Sequence, residues 1–173
     1  MNSIGKCLKF NISLKILFTF YICSGSFYYL TFFPIFVVML SKKSQYAFKA
    51  LSYLVEKRND GPILISEIAD HKKIPLKFLE NILLELKKAG ILDSKKGKGG
   101  GYFFKENPEN VKLAKIIRLV NGPIALLPCV SLNFYEKCED CTEDHCGLHD
   151  VLIEVRDASL NILERKTLMD LVD

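Results

Sequence analysis

Acidic side chains are missing from the first 38 residues of this 173-residue chain, and from Ile16 to Leu40 there is no charge of either sign. Glycine (10) and proline (6) are too scarce for a collagen-like or mucin-like chain, and 49% apolar with 25% charged residues excludes a disordered tail. No Gly-Lys-Ser/Thr sequence is present, which speaks against a phosphate-cradling nucleotide loop. The apolar run lacks an Ala-x-Ala-like end, which speaks against a cleaved signal peptide. A chain of this length can bury ~70% of its unfolded surface, so its six cysteines are not needed as disulfide staples.

What is present divides into three blocks of contrasting charge. Residues 1–38 carry three lysines and no acid; residues 39–105 carry 14 Lys/Arg against 7 Asp/Glu; residues 106–173 carry 7 against 13. In the first block the 25 uncharged residues exceed the ~20 that a helix needs to span a bilayer, so residues 12–40 read alone as a membrane anchor. The competing reading takes Met39 as the true start and residues 1–38 as a dispensable upstream extension. Everything after Met39 reads as cytoplasmic; an anchor would place that part on the cytoplasmic side of the inner membrane.

The basic block expects three helices and a small hairpin. Tyr46, Ala47, Ala50, Leu51, Leu54 and Val55 recur at helical spacing after Ser41, with a stop at Arg58–Pro62. Two short helical patterns follow: Ile65–His71, then Pro75–Ala89 with Phe78, Leu79, Ile82, Leu83 and Leu86 inward. Pro75 suits the first turn of the later helix, where its missing N–H has no partner to lose, and Gly90 suits its stop. The three-residue joint Lys72-Lys73-Ile74 forces a helix-turn-helix. Ile91–Ser94 and Tyr102–Phe104 read as two strands joined by the glycine- and lysine-rich segment 95–101, a basic β-wing. The fold expected is mainly α with a small β-wing: a winged helix-turn-helix followed by a long C-terminal dimerisation helix.

Such an arrangement binds double-stranded DNA. A helix enters the major groove, and wing lysines neutralise phosphates. Lys77, Glu80 and Asn81 then face base edges, where Asn reads adenine and Glu accepts from cytosine, while Lys96 and Lys98 lie in the wing. Glu80 and Asn81 could equally be the solvated side of a surface helix.

In the acidic block a helix is expected over Val111–Val120. Cys129, Cys138, Cys141 and Cys146 then fall within 18 residues, with His149 three places beyond the last. Clustered thiolates repel each other unless a soft metal centre offsets their charge. An iron–sulfur cluster and a tetrahedral zinc site both meet that need, and spacing alone does not separate them. Disulfides conflict with a reducing cytosol, and a Cys–His nucleophile lacks an evident catalytic cleft, so no enzyme is expected. His149 could instead simply solvate the first turn of the helix that follows. That helix, expected to reach about Met169, carries Val151, Leu152, Val155, Leu160, Leu163 and Leu168 as an apolar stripe for the first helix or for a second copy of itself.

These residues together resemble the IscR/NsrR-type winged-helix transcription regulators, the Rrf-two family. The likeness covers Met39 to about Met169. It rests on Ser41-Lys42-Lys43-Ser44-Gln45-Tyr46-Ala47, on Ile74-Pro75-Leu76-Lys77-Phe78-Leu79-Glu80-Asn81, on Lys96-Gly97-Lys98-Gly99-Gly100-Gly101-Tyr102 and on Val120-Asn121-Gly122-Pro123-Ile124. The resemblance implies DNA contacts at Lys77, Glu80, Asn81 and Lys96, and homodimers formed through the C-terminal helix. It also implies a cluster, [2Fe–2S] or related, held by Cys129, by one or both of Cys138 and Cys141, and by Cys146. Cys138 and His149 compete as the remaining ligand, and zinc is the alternative metal. The expected function is a transcription regulator whose operator affinity follows the cluster or redox state of the cysteine loop. A membrane-tethered zinc-binding interaction protein is the rival.

Overall fold

The computed structural model describes the backbone of residues 8–11 and 19–22 and, in full, residues 40–139 and 146–172. It divides into two units, residues 1–37 and 38–173. In the first, strand β1 (Leu8–Asn11) pairs antiparallel with β2 (Thr19–Ile22), Leu8 opposite Ile22 and Asn11 opposite Thr19. Strand β2 takes four residues of the uncharged run; the rest of that run, Leu40 apart, lies outside the described residues. Among the described residues no helix is long and apolar enough to cross a membrane.

The second unit begins where Ser41 caps helix α1 (Lys42–Glu56), its hydroxyl accepting from the Ser44 N–H at 3.2 Å. Such a cap satisfies one of the first-turn donors that the helix leaves unpaired. Helix α2 (Ile65–Lys72) ends on Lys73 in the left-handed conformation, φ 53° and ψ 50°. That turn drives Ile74 into the core at 4% exposure and redirects the chain into helix α3 (Leu76–Lys88). Pro75 sits one place earlier than expected, as the cap residue rather than in the first turn. Strands β3 (Leu92–Lys95) and β4 (Gly101–Phe104) form the wing, with Leu92 opposite Phe104 and Lys95 opposite Gly101. Ile63 adds a rung: its N–H donates to the Tyr102 carbonyl at 2.9 Å, and the Tyr102 N–H donates back at 2.8 Å. The second unit therefore folds mainly into helices with one small antiparallel sheet, as expected.

Helices α4 (Leu113–Val120) and α5 (His149–Arg165) complete the unit. Helix α4 starts two residues later than its apolar pattern, because Val111 is buried from extended backbone ahead of it. The core draws on the whole unit: Leu51, Leu54, Ile68, Leu79, Ile82, Leu83, Leu86, Ile91 and Leu92 pack with Ile116 and Leu168. Each such side chain contributes roughly 1.5–3 kcal/mol by leaving water.

Three expectations need correction. Phe78 is not inward; it is 43% exposed and makes an edge-to-face contact with Tyr46, ring centroids 5.7 Å apart. It precedes Leu79, and the ~100° step between helix neighbours places it on the flank of the buried stripe. Helix α5 stops at Arg165 rather than about Met169. Lys166 and Thr167 are extended, and Thr167 with Asp170 forms a capping box for a final 3-10 turn, Leu168–Leu171. Leu168 thus leaves the stripe and returns to the core, where its N–H donates to the Val111 carbonyl at 3.0 Å. The rest of the stripe splits: Leu152 and Leu160 are buried, whereas Val151 (53%) and Val155 (42%) are exposed. The principal neighbours of α5 are α4 and the turn Pro128–Val130.

Candidate nucleic-acid interface and cysteine loop

Helix α3 holds its inner face by four buried aliphatic side chains, so Lys77, Glu80, Asn81 and Leu84 point outward and are exposed. Among the described residues, no hydrogen bond or ion pair engages the side chains of Lys77, Glu80 or Asn81. The other end of the helix differs. Glu85 binds Lys43 of α1 at 2.6 Å, and Lys87 reaches Asp93 at 3.0 Å and the Ser94 hydroxyl at 2.7 Å. The Lys87 hydrogen bond holds the Asp93 carboxyl below its usual range, aided by the Ser94 N–H. One end of α3 is therefore anchored to α1 and the wing root, and the other is presented to solvent with its polar groups unspent.

The wing is built by glycine. Gly97, Gly99 and Gly101 have φ of 91°, 71° and 148°, values that side-chain-bearing residues rarely adopt. A Cβ on Gly101 would run into the backbone of Ile63, so the rung from Ile63 to Tyr102 needs glycine there. Lys95, Lys96 and Lys98 are exposed along the hairpin, and Lys96 and Lys98 make no ion pair among the described residues. Exposed cations at a hairpin tip beside a presented helix can neutralise phosphates while that helix reads a groove. Leu76 and Leu84, each 46% exposed, belong to the same outward surface and offer apolar contact to thymine methyl groups. Their offset from the Leu79–Leu86 stripe was the available sequence signal.

The cysteine segment is held from one side. Cys129 lies in the turn Pro128–Val130, and Arg156 of α5, its side chain only 12% exposed, donates to the Val130 carbonyl at 2.7 Å. Spacing gave no sign of that clamp. Cys146 lies just before α5, and its carbonyl accepts from the His149 N–H at 3.0 Å. His149 occupies the first turn of α5, 16% exposed, with Nδ1 3.5 Å from Asp150. Cys129, Cys138 and Cys146 are all half-buried; Cys141 lies outside the described residues. Among the described residues no three His, Cys, Asp or Glu side chains stand close enough to hold a metal. The donor chemistry nonetheless fits a soft centre, since Cys129 and Cys146 are thiols in no disulfide and both are partly accessible.

A helix-turn-helix whose second helix is presented beside a basic, glycine-built hairpin defines a winged-helix DNA-binding protein. More narrowly, the chain belongs to the Rrf2 family: the family model described as "Rrf2: Iron-dependent Transcriptional regulator" matches residues 40–173. An rrf2-like HTH-type transcriptional regulator of Rhodobacter capsulatus is 40% identical over 138 residues, covering 78% of this chain and 92% of that protein. The HTH-type transcriptional regulator NsrR of Bacillus licheniformis is 28% identical, covering 77% and 91%. The solved structure of CymR, the global cysteine regulator of B. subtilis, superposes with TM-score 0.65 at 28% identity, covering 78% of this chain and 95% of that one. The chain is thus a DNA-binding transcription regulator and not an enzyme.

Proposed function

We propose that this regulator reads a two-fold symmetric double-stranded DNA operator as a homodimer, and that its grip on that operator follows the chemical state of the cysteine loop. The observation that carries the reading is the division of α3: Lys77, Glu80 and Asn81 are exposed and unengaged, whereas Glu85 and Lys87 are bound within the domain. In this reading Lys77, Glu80 and Asn81 contact base edges, while the wing lysines Lys95, Lys96 and Lys98 contact phosphates. Symmetry comes from α5, whose exposed Val151, Val155 and Ile162 suit a second copy of the chain.

The loop is assigned an iron–sulfur centre, [2Fe–2S], with zinc as the alternative occupant. Cys129, Cys138, Cys141 and Cys146 would hold it, with His149 standing in for Cys138 as the competing ligand. A bound cluster would supply a redox-sensitive tie between the Cys129 turn and the start of α5, in addition to the Arg156 hydrogen bond. Arg156 keeps the Cys129 turn against α5, so order in the loop bears directly on the helix proposed to join the protomers. Family membership and the likeness to regulators of the NsrR and CymR kind support this reading.

Selection of binding sites from a random DNA pool tests the first half. Enrichment of a palindrome is expected, and Asn81→Ala and Glu80→Ala should each relax preference at one symmetric pair of positions; an unchanged consensus would remove α3 from base reading. Iron, acid-labile sulfide and zinc measured after anaerobic purification test the second. Stoichiometric iron and sulfide are expected, one zinc per chain selects the alternative, and neither metal contradicts a resident centre.

A further inference from the structure

Asn121 caps the C-terminal end of α4, and its side-chain oxygen accepts two hydrogen bonds from residues distant in sequence. The Ser41 backbone N–H donates at 3.0 Å and the Ser44 hydroxyl at 3.1 Å. Ser44 is fully buried, and its hydroxyl also lies 3.2 Å from that of Ser41, the α1 cap. A single amide oxygen therefore joins the end of α4 to the beginning of α1.

Both sides of that junction lead to a functional element. On α1 the same first turns reach the recognition helix, through the Lys43–Glu85 ion pair at 2.6 Å and the Tyr46 ring on Phe78. On the other side Pro123 and Ile124 line a small cavity with Ser131, Leu132 and Asn133, which closely follow Cys129. A larger cavity of about 320 Å³ lies between Leu40, Asn121, Ile124 and Leu126 and the α5 residues Val155 and Arg156. The loop after Cys129 thus borders the cavity that Pro123 and Ile124 line just past Asn121, and there is empty volume next to the junction in which its neighbours can rearrange.

The geometry points to Asn121 as the positioning residue through which the state of the cysteine loop reaches the recognition helix; this rests on the role proposed for that loop above. A change in loop order displaces Pro123 and Ile124, and the end of α4 moves with them. The two hydrogen bonds carry that displacement to Ser41 and Ser44, and α1 re-aims α3 through Glu85 and Phe78. Coupling of this kind needs a connected element that both sites bias, and these bonds supply one.

The test compares operator affinity of the full chain in two states: thiols reduced and metal-free, and after anaerobic incubation with ferrous iron and sulfide. The unsubstituted chain should differ by ~5-fold or more between them. Asn121→Leu keeps the size and removes the acceptor, so its ratio should fall to within about twofold of one, whereas Asn121→Asp keeps the acceptor and should keep the ratio. Ser44→Ala removes one of the two bonds to Asn121 and should give an intermediate ratio, which serves if Asn121→Leu does not fold. Hydrogen exchange at the Ser44 and Gln45 amides, read without DNA, should differ between the states in the unsubstituted chain and not in Asn121→Leu. An Asn121→Leu protein with the full ratio would overturn the assignment while leaving the loop's role intact. If the unsubstituted chain itself shows no ratio, the role of the loop fails, and the assignment with it.

Discussion

Replacing Lys96 by alanine removes one wing cation that no partner neutralises among the described residues. Lys95, Lys96 and Lys98 give three such cations per protomer, hence ~6 phosphate contacts in a dimer and a slope of log affinity against log salt near −5.4. Raising salt from about 50 to about 200 mM should then weaken operator binding by ~2,000-fold. Lys96→Ala leaves ~4 contacts, a slope near −3.6 and a loss of only ~150-fold over the same range. Fluorescence anisotropy with a labelled operator at several salt concentrations measures both slopes. A slope unchanged in Lys96→Ala would refute the placement of the wing on the backbone. An initial slope near half the expected one would indicate that a single protomer binds.

Three further outcomes concern the frame that carries this surface. Leu168→Ala should destabilise the protein by ~2–5 kcal/mol in urea unfolding, because the side chain is fully buried in the core; a cost below about 1 kcal/mol would show that the segment after α5 is not part of that core. Gly101→Ala should lower stability and operator affinity together, since its Cβ meets the Ile63 backbone at a φ of 148°; an unaffected protein would remove the Ile63–Tyr102 rung from the wing. The Lys166 ammonium, with the Thr167 N–H, lowers the Asp170 carboxyl to about 2. A carboxyl depressed on folding stabilises the fold above its unfolded value, so the Asp170 contribution should be complete at neutral pH and disappear as pH falls from about 4 through about 2. Asp170→Asn should abolish that component of the acid-unfolding profile, and identical profiles would contradict the bond.

Helical period and glycine placement made most of the second unit readable from sequence. The stripe of Leu79, Ile82, Leu83 and Leu86 and the glycines of the wing each allow essentially one local structure. Errors arose where one residue type serves two geometries. Leu168 continues the α5 period by spacing, yet the chain has already turned, and a core contact distant in sequence decides its place. Phe78 is apolar and one step from the stripe; the Tyr46 ring, rather than the core, is what meets it. Asn121 and Ser44 carried no periodic signal at all, because a bond spanning 77 residues leaves no trace in local pattern. At the cysteine loop the donor types were legible, but ligand geometry depends on how the loop folds, which spacing does not determine.

Thiol chemistry in the loop and DNA reading by α3 are proposed to belong to one device. Operator affinity of the intact chain, measured at one salt concentration in the reduced, metal-free state and again after anaerobic loading with ferrous iron and sulfide, decides whether they do. Affinities ~5- to 150-fold apart are expected, a difference lost when Cys129, Cys138, Cys141 and Cys146 are replaced by serine. Equal affinities in the two states, or a difference that survives the serine substitutions, would contradict that proposal.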